Sequence, residues 1–142
     1  MTGQKSNSYL LDTSAVLTLI EDEPGADRVE ELLRNRVVLL PFVVGLETYY
    51  ITCQERGTDE ADRRLFLLRH LPAQWLNAVD DAVLVTAGRF KANYRLSLAD
   101  CLVAAFASET GAVLVHKDPE YDSLDTLRQE RLPYKDMQRS GR

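Results

Sequence analysis

The sequence is poor in the residues that form disulfides and zinc sites. It has two cysteines, Cys53 and Cys101, and two histidines, His70 and His116, without zinc-ligand spacing. Two isolated cysteines indicate packed thiols rather than a disulfide. No apolar run reaches the roughly 18 residues of a membrane-spanning helix, and "MTGQKSNS" lacks the apolar core of a secretory signal. We therefore expect a cytoplasmic protein without a membrane segment.

Positive charge is also scarce. The chain has 17 basic and 22 acidic side chains, and its formal net charge is −5. A nucleic-acid-binding surface usually carries a basic footprint, so net charge alone argues against nucleic-acid binding. Net charge does not report where the charges lie, however. Acids gathered in one catalytic site would give the same balance while the rim of that site stayed basic.

Short apolar segments alternate with longer segments of helical periodicity. The segments "SYLL", "VVLL" and "AVLV" indicate buried strands, and "QWLNAV" is a candidate for a further short strand. This alternation predicts an α/β protein, a three-layer α/β/α sandwich with a central, mostly parallel sheet. The 142 residues contain no linker or repeat, so we expect a single domain over 1–142, with residues 1–7 and 138–142 flexible.

Four acids fall where such a sheet would bring them together. Asp12 follows "SYLL", Asp118 follows "AVLV", Glu47 lies in the apolar "FVVGLETYYI", and Asp100 lies in the first turn of a predicted helix. Two carboxylates about 4–5 Å apart repel by roughly 3–4 kcal/mol at an effective dielectric of 20. Such a cluster needs divalent cations or raised pKa values. Ligation by oxygen alone suits Mg²⁺ or Mn²⁺.

Each acid also has a structural explanation. Asp12 can cap the helix that follows it, and Asp100 can form a capping box with Ser97. Asp118 begins an Asp-Pro turn, and Glu47 can lie on the solvent side of its helix. The neighbouring Gly45 costs the helix about 1 kcal/mol relative to Ala, which indicates close packing on that face.

All four acids occur in order within sequence motifs of one known family. The motifs "LLDTSAVL", "VVGLETYY", "LSLADCLVAAFA" and "AVLVHKDPEYDSL" make the chain resemble the PIN-domain ribonucleases, in particular VapC-type toxins, from about Tyr9 to Pro133. The resemblance implies a catalytic and metal-binding site formed by Asp12, Glu47, Asp100 and Asp118. It further implies supporting hydroxyls from Ser14 and Thr13, and Glu120 as a further acid.

The resemblance also implies an activity and partners. The chain would be an Mg²⁺- or Mn²⁺-dependent endoribonuclease, the toxin of a type II toxin–antitoxin pair, with a VapB-like antitoxin and a homodimeric state. Lys91, Arg95 and Lys117 are candidates for RNA contact, because phosphate is bound by basic side chains. One position departs from the family, which usually has a small hydroxyl residue where this chain has His116. We expect a steric or rim role for His116 rather than that of a general base.

Three other functions remain as alternatives. A phospho-accepting receiver module also has a strand-end Asp and a late Lys, here Asp12 and Lys117, but "LLDTS" lacks its acidic pair. A haloacid-dehalogenase-like phosphatase needs Asp-x-Asp, and residue 14 is Ser. The third alternative is a catalytically inactive binding protein with the PIN fold.

Overall fold

The structure, a computed structural model, describes residues 7–134. Of the termini predicted to be flexible, 1–7 and 138–142, only residue 7 falls within that range. Within the described residues, no helix combines the length and the apolar character needed to cross a membrane. The elements follow one another as β1 Ser8–Leu11, α1 Thr13–Ile20, α2 Ala26–Asn35, β2 Val37–Pro41, α3 Phe42–Arg56, α4 Thr58–Arg69, β3 Gln74–Leu76, α5 Asp81–Asn93, α6 Leu98–Thr110, β4 Val113–His116, a 3₁₀ helix Pro119–Ser123 and β5 Gln129–Arg131.

A five-stranded parallel sheet forms the centre of the molecule. The strand order is β3-β2-β1-β4-β5, and every neighbouring pair is parallel. Helices flank this sheet, so the prediction of an α/β/α sandwich with a mostly parallel sheet is confirmed. The middle strands are covered on both faces, which explains why Tyr9–Leu11 of β1 and Val113–Val115 of β4 are consecutive apolar residues rather than alternating ones.

The order in which the chain adds strands to the sheet changes side between β1 and β4. It builds β2 and β3 on one side of β1, then returns and places β4 and β5 on the other side. Such a reversal leaves a crevice at the carboxyl ends of the two strands, the usual ligand position in parallel sheets. The backbone N–H of Asp12 donates to the Val115 carbonyl oxygen at 3.2 Å, which ties the two strand ends together.

Two elements after β4 have no counterpart in the sequence prediction, the 3₁₀ helix and β5. Strand β5 has the polar sequence "QER", so it lacks an apolar pattern. Strand β5 forms because it pairs with β4. The residues on either side of β5 also bond to β4: the Leu114 N–H donates to the Arg128 carbonyl oxygen at 2.9 Å, and the Leu132 N–H donates to the His116 carbonyl oxygen at 2.8 Å. The segment is therefore a strand because of its neighbour.

Helix α3 packs closely against β3 at Gly45, as the sequence indicated. A Cβ atom built on Gly45 would lie 2.7 Å and 2.8 Å from two ring atoms of Trp75. The guanidinium group of Arg69 also packs on this ring, 3.9 Å from its centroid, and the ring borders the hydrophobic core. Gly45 is therefore required for space, not for its backbone freedom.

We expect Gly45→Ala to lower the free energy of unfolding by about 1 kcal/mol, because overpacking outweighs the gain of about 1 kcal/mol in helix propensity. The matched control is Gly88→Ala in α5, where nothing lies within 4 Å of the added methyl group. That variant should gain about 0.5–1 kcal/mol. Urea unfolding of both variants measures the difference. Equal stabilisation of both would show that the Trp75 ring moves aside without cost.

Candidate metal centre

Asp12 stands at the end of β1 and caps α1, as predicted. Its Oδ1 accepts hydrogen bonds from the Ala15 backbone N–H at 2.9 Å and from the Ser14 hydroxyl at 2.6 Å. The residue is only 4% exposed. Burial raises the pKa of Asp12 to about 7, and repulsion from Asp100 and Asp118 adds to this, although its two hydrogen bonds oppose the rise. Within residues 7–134, no basic side chain is among the groups that shift the pKa of Asp12, so its charge is not compensated there.

Ser14 connects Asp12 to the segment that follows β4. Besides donating to Asp12, its hydroxyl oxygen accepts a hydrogen bond from the Lys117 backbone N–H at 2.9 Å. The start of α1 and the start of the loop that carries Asp118 therefore share one hydroxyl group. The role of Ser14 in supporting a metal stays a prediction.

Glu47 faces the start of α1 rather than open solvent. The Thr13 hydroxyl donates to Glu47 Oε1 at 2.5 Å, across the gap between α1 and α3. The Glu47 side chain is half-buried, and burial raises its pKa, with a smaller contribution from Asp100. The hydrogen bond from Thr13 lowers the pKa but does not cancel the rise. Thr13 thus orients Glu47, which was not among its expected roles.

Asp100 is held from two sides. Its backbone N–H donates to the Ser97 hydroxyl oxygen at 3.1 Å, which confirms Ser97 as the N-cap of α6. The Tyr121 hydroxyl donates to Asp100 Oδ1 at 3.0 Å, and the Tyr121 side chain is fully buried. Burial raises the pKa of Tyr121, so the phenol stays a neutral donor. Burial also raises the pKa of Asp100, ahead of a smaller contribution from Asp118.

Asp118 begins the turn that the sequence predicted, and its carboxylate also reaches the acid cluster. Its Oδ1 accepts from the Glu120 backbone N–H at 2.9 Å, which caps the 3₁₀ helix. Carboxylate oxygens of Asp100, Asp118 and Glu120 lie within 4.8 Å of one another. Three oxygen donors at this spacing fit a hard divalent cation such as Mg²⁺ or Mn²⁺.

Asp12 and Glu47 are not members of that set of mutually close oxygens, but both border it. Electrostatic repulsion couples Asp12 to Asp100 and Asp118, and couples Glu47 to Asp100. The structure therefore brings all the predicted acids to one place, with Asp100 as the common neighbour. Asp100, Asp118 and Glu120 are the side chains that could hold a cation together.

His116 is buried, which contradicts a position on the rim. It is 1% exposed, and its ring packs edge-to-face on Tyr121 with centroids 4.8 Å apart. Its Nε2 lies 2.8 Å from Gln129 Oε1, and its Nδ1 accepts from the Asp118 backbone N–H at 3.0 Å. Burial lowers the pKa of His116, so the ring is neutral. Sequence reasoning missed Gln129, because no local signal connects it to an acid 11 residues away in the sequence.

The three basic residues predicted to contact RNA differ in environment. Lys117 Nζ lies 3.4 Å from Glu23, and the Lys117 side chain is only 10% exposed. Lys91 Nζ donates to the Leu96 carbonyl oxygen at 2.8 Å, which ties α5 to the loop before α6. Arg95 lies exposed in that loop. Two of the three predicted residues therefore have partners within the protein, and contact with RNA stays a prediction for all three.

Several solved structures share this fold over nearly their whole length. VapBC2 from Rickettsia felis, solved bound to a DNA fragment from its promoter, aligns with a TM-score of 0.74 at 16% identity, over 89% of this chain and 99% of that one. VapBC-1 from nontypeable Haemophilus influenzae gives 0.70 at 21% identity, over 87% and 97%. VapC20 from Mycobacterium tuberculosis, a toxin that cleaves the sarcin–ricin loop, gives 0.66 at 15% identity, over 82% and 94%.

Comparison by sequence leads to the same fold family. No curated protein is similar enough to this chain to count as a match. The family model of the PIN domain, however, matches residues 9–127, which contain all four predicted acids as well as Glu120. Because this match covers most of the sequence, the chain belongs to the PIN domain family.

Proposed function

We propose that the protein is a divalent-metal-dependent endoribonuclease. The observation that carries this proposal is the set of carboxylate oxygens of Asp100, Asp118 and Glu120 within 4.8 Å of one another. The set lies at the point where the order of the parallel strands reverses, beside the buried Asp12. The similarity to a toxin that cleaves the sarcin–ricin loop supports RNA as the substrate.

The cation would be held by oxygen donors alone. A bound Mg²⁺ or Mn²⁺ supplies an activated water and neutralises charge on the scissile phosphate. The protein contributes preorganisation: Ser14 and Ala15 orient Asp12, Thr13 orients Glu47, and Tyr121 orients Asp100. Because these donors are already in place, little rearrangement is needed on binding.

We further propose that the chain is one PIN domain that acts as the toxin of a toxin–antitoxin pair. Three similar structures are VapBC proteins, two of them solved on DNA, which supports a VapB-like antitoxin as a partner. The homodimer and the cytoplasmic location stay predictions.

Contiguous exposed apolar side chains often mark protein interfaces. Large exposed apolar side chains lie on α3 and α4, at Leu46 and Phe66, and on α5 and α6, at Leu84 and Leu98.

Two alternatives differ from this proposal in ways that can be tested. Receiver domains have the strand order 2-1-3-4-5, whereas this sheet has the order 3-2-1-4-5, so the receiver alternative loses its structural basis. A phosphatase of the haloacid-dehalogenase type would need a carboxylate at residue 14, where a Ser donates to Asp12. A catalytically inactive PIN-fold binding protein remains, and a cleavage assay distinguishes it.

We expect the purified protein to cleave RNA in the presence of Mg²⁺ or Mn²⁺, and we expect EDTA to stop this cleavage. Asp12→Asn and Asp100→Asn should each lower the rate by about 10²-fold or more, because the site loses a charge that holds the cation. The matched control is Asp59→Asn, which replaces an exposed acid in the first turn of α4 that is not part of the acid cluster. Unchanged cleavage by the folded Asp12 and Asp100 variants, or full activity in EDTA, would refute the proposal.

Asp12 also predicts how stability changes with pH in the metal-free protein. Its pKa is higher in the folded protein, about 7, than its ordinary value of 3.8. Folding therefore favours the protonated form, and Asp12 progressively destabilises the fold as pH rises from about 4 to about 7. Since each pH unit corresponds to about 1.4 kcal/mol, Asp12→Asn should gain roughly 2–4 kcal/mol relative to wild type between pH 4 and pH 8.

Urea unfolding of both proteins at the two pH values, with EDTA present, measures this gain. The comparison isolates Asp12, because the variant retains His116 and the other acids. Mn²⁺ at pH 8 should stabilise wild type much more than Asp12→Asn. A variant that is no more stable than wild type at pH 8 would show that the Asp12 charge is already compensated.

Arg95 is the side chain that we expect to contact the RNA backbone. Arg95→Gln should raise KM about 3-fold and reduce the slope of log affinity against log salt by about 0.7, the value for one lost contact to single-stranded phosphate. The control is Arg34→Gln, which makes the same charge change in the last turn of α2, just before the amino end of β2. Equal effects of the two variants would indicate a response to net charge alone.

A further inference from the structure

We propose that His116 is a positioning residue for the metal site. Its ring, fixed in one tautomer by Gln129, holds the backbone of Asp118 and packs against the tyrosine that holds Asp100. In this way one buried imidazole sets the spacing between two of the cation-binding carboxylates. The inference rests on the proposed function, since it assigns a role within that site.

The tautomer follows from the orientation of the Gln129 amide. Its Nε2 donates to two backbone carbonyl oxygens, those of Tyr121 and Leu124, at 2.9 Å each. Both amide hydrogens are therefore in use, and the atom that faces the histidine is the acceptor Oε1, 2.8 Å from His116 Nε2. The imidazole must carry its proton on Nε2 to donate to that oxygen.

The other ring nitrogen independently leads to the same tautomer. The Asp118 backbone N–H points at His116 Nδ1 at 3.0 Å, and an N–H group can only donate. Nδ1 therefore presents its lone pair. A side-chain acceptor on residue i that binds the N–H of residue i+2 is the arrangement of an Asx turn, here formed by an imidazole.

This hydrogen bond acts directly on an acid of the site. Ser14 holds the backbone of Lys117, and the His116 carbonyl oxygen accepts from Leu132 N–H at 2.8 Å, so both preceding residues are anchored. The bond from His116 Nδ1 then fixes the peptide plane from which the Asp118 side chain starts. The Asp118 carboxylate is also held by the Glu120 N–H at 2.9 Å, and its carbonyl oxygen by the Tyr121 N–H at 3.3 Å. Loss of the histidine bond therefore removes the restraint on the amino side of Asp118 and lets the carboxylate shift relative to Asp100.

The ring reaches Asp100 through Tyr121. The two rings meet edge-to-face with centroids 4.8 Å apart, and the Tyr121 hydroxyl donates to Asp100 Oδ1 at 3.0 Å. Both rings are almost completely shielded from solvent, at 1% and 0% exposure. RNA therefore cannot contact His116, and its influence on the site has to pass through the two acids.

Three substitutions separate the two hydrogen bonds of the ring. Asn at this position keeps an acceptor at the place of Nδ1, Gln keeps a donor near the place of Nε2, and Leu keeps neither. We expect His116→Gln and His116→Leu to bind Mn²⁺ about 10-fold more weakly than wild type, as for other residues that orient metal ligands. His116→Asn loses the ring contact with Tyr121 but keeps the bond to the Asp118 N–H, so its affinity should stay within about 3-fold of wild type. Isothermal titration calorimetry at one pH measures the affinities.

A second readout needs no metal. In the metal-free protein, hydrogen exchange followed by NMR should show the Asp118 amide protected in wild type and in His116→Asn, and exchanging at least about 10-fold faster in His116→Gln. If His116 only stabilised the fold, Mn²⁺ affinity and Asp118 amide exchange would change in proportion to the loss of melting temperature in all three variants. Only a positioning role predicts rescue by Asn regardless of stability.

Equal Mn²⁺ affinity and equal Asp118 exchange in the Gln and Asn variants would overturn the inference. An Asp118 amide that is unprotected in wild type would overturn it as well, even if no variant folds. Failure of wild type itself to bind Mn²⁺ is a different result, because it contradicts the proposed function. The contrast in Asp118 exchange would then still report on the His116 bond.

Discussion

The burial of one carboxylate, Asp12, is the constraint on which the rest of this site depends. Folding removes the group from water at the end of a central strand, with other acids close by. In the part of the chain that the structure describes, neutral hydrogen-bond donors rather than basic side chains contact these acids: Ser14 and the first turn of α1 for Asp12, Thr13 for Glu47, and Tyr121 for Asp100. These neutral donors orient the acids and leave their negative charge available for a cation.

The secondary structure and the site use the same residues. Asp12, Ser97 and Asp118 each cap the helix or 3₁₀ turn that follows them, so the structural explanations of Asp12 and Asp118 hold. Capping uses one oxygen or one hydroxyl and leaves the remaining oxygens free to bind a ligand. Helix N-termini also favour nearby negative charge. An acid at the start of a helix can therefore serve the fold and a metal site together.

The fold, with its central parallel sheet, is compatible with widely different sequences. VapBC and VapC structures at 15–21% identity share the fold with TM-scores of 0.66–0.74. The fold requires only apolar strands and correctly placed caps, which many sequences satisfy. In this chain, the contact between His116 and Gln129 is a local arrangement built on that fold.

The sequence by itself determined the three buried apolar strands, the caps at Asp12 and Ser97, the close packing at Gly45 and the acids that meet at one edge of the sheet. These depend on periodicity, capping chemistry and the direction of parallel strands, all of which are local or follow from topology. Only the tertiary structure decided that "QER" is a strand, that His116 is buried, and that Lys117 pairs with Glu23. Each of these depends on a neighbour that is distant in the sequence or on the depth of packing around one side chain, and neither is encoded in a short segment.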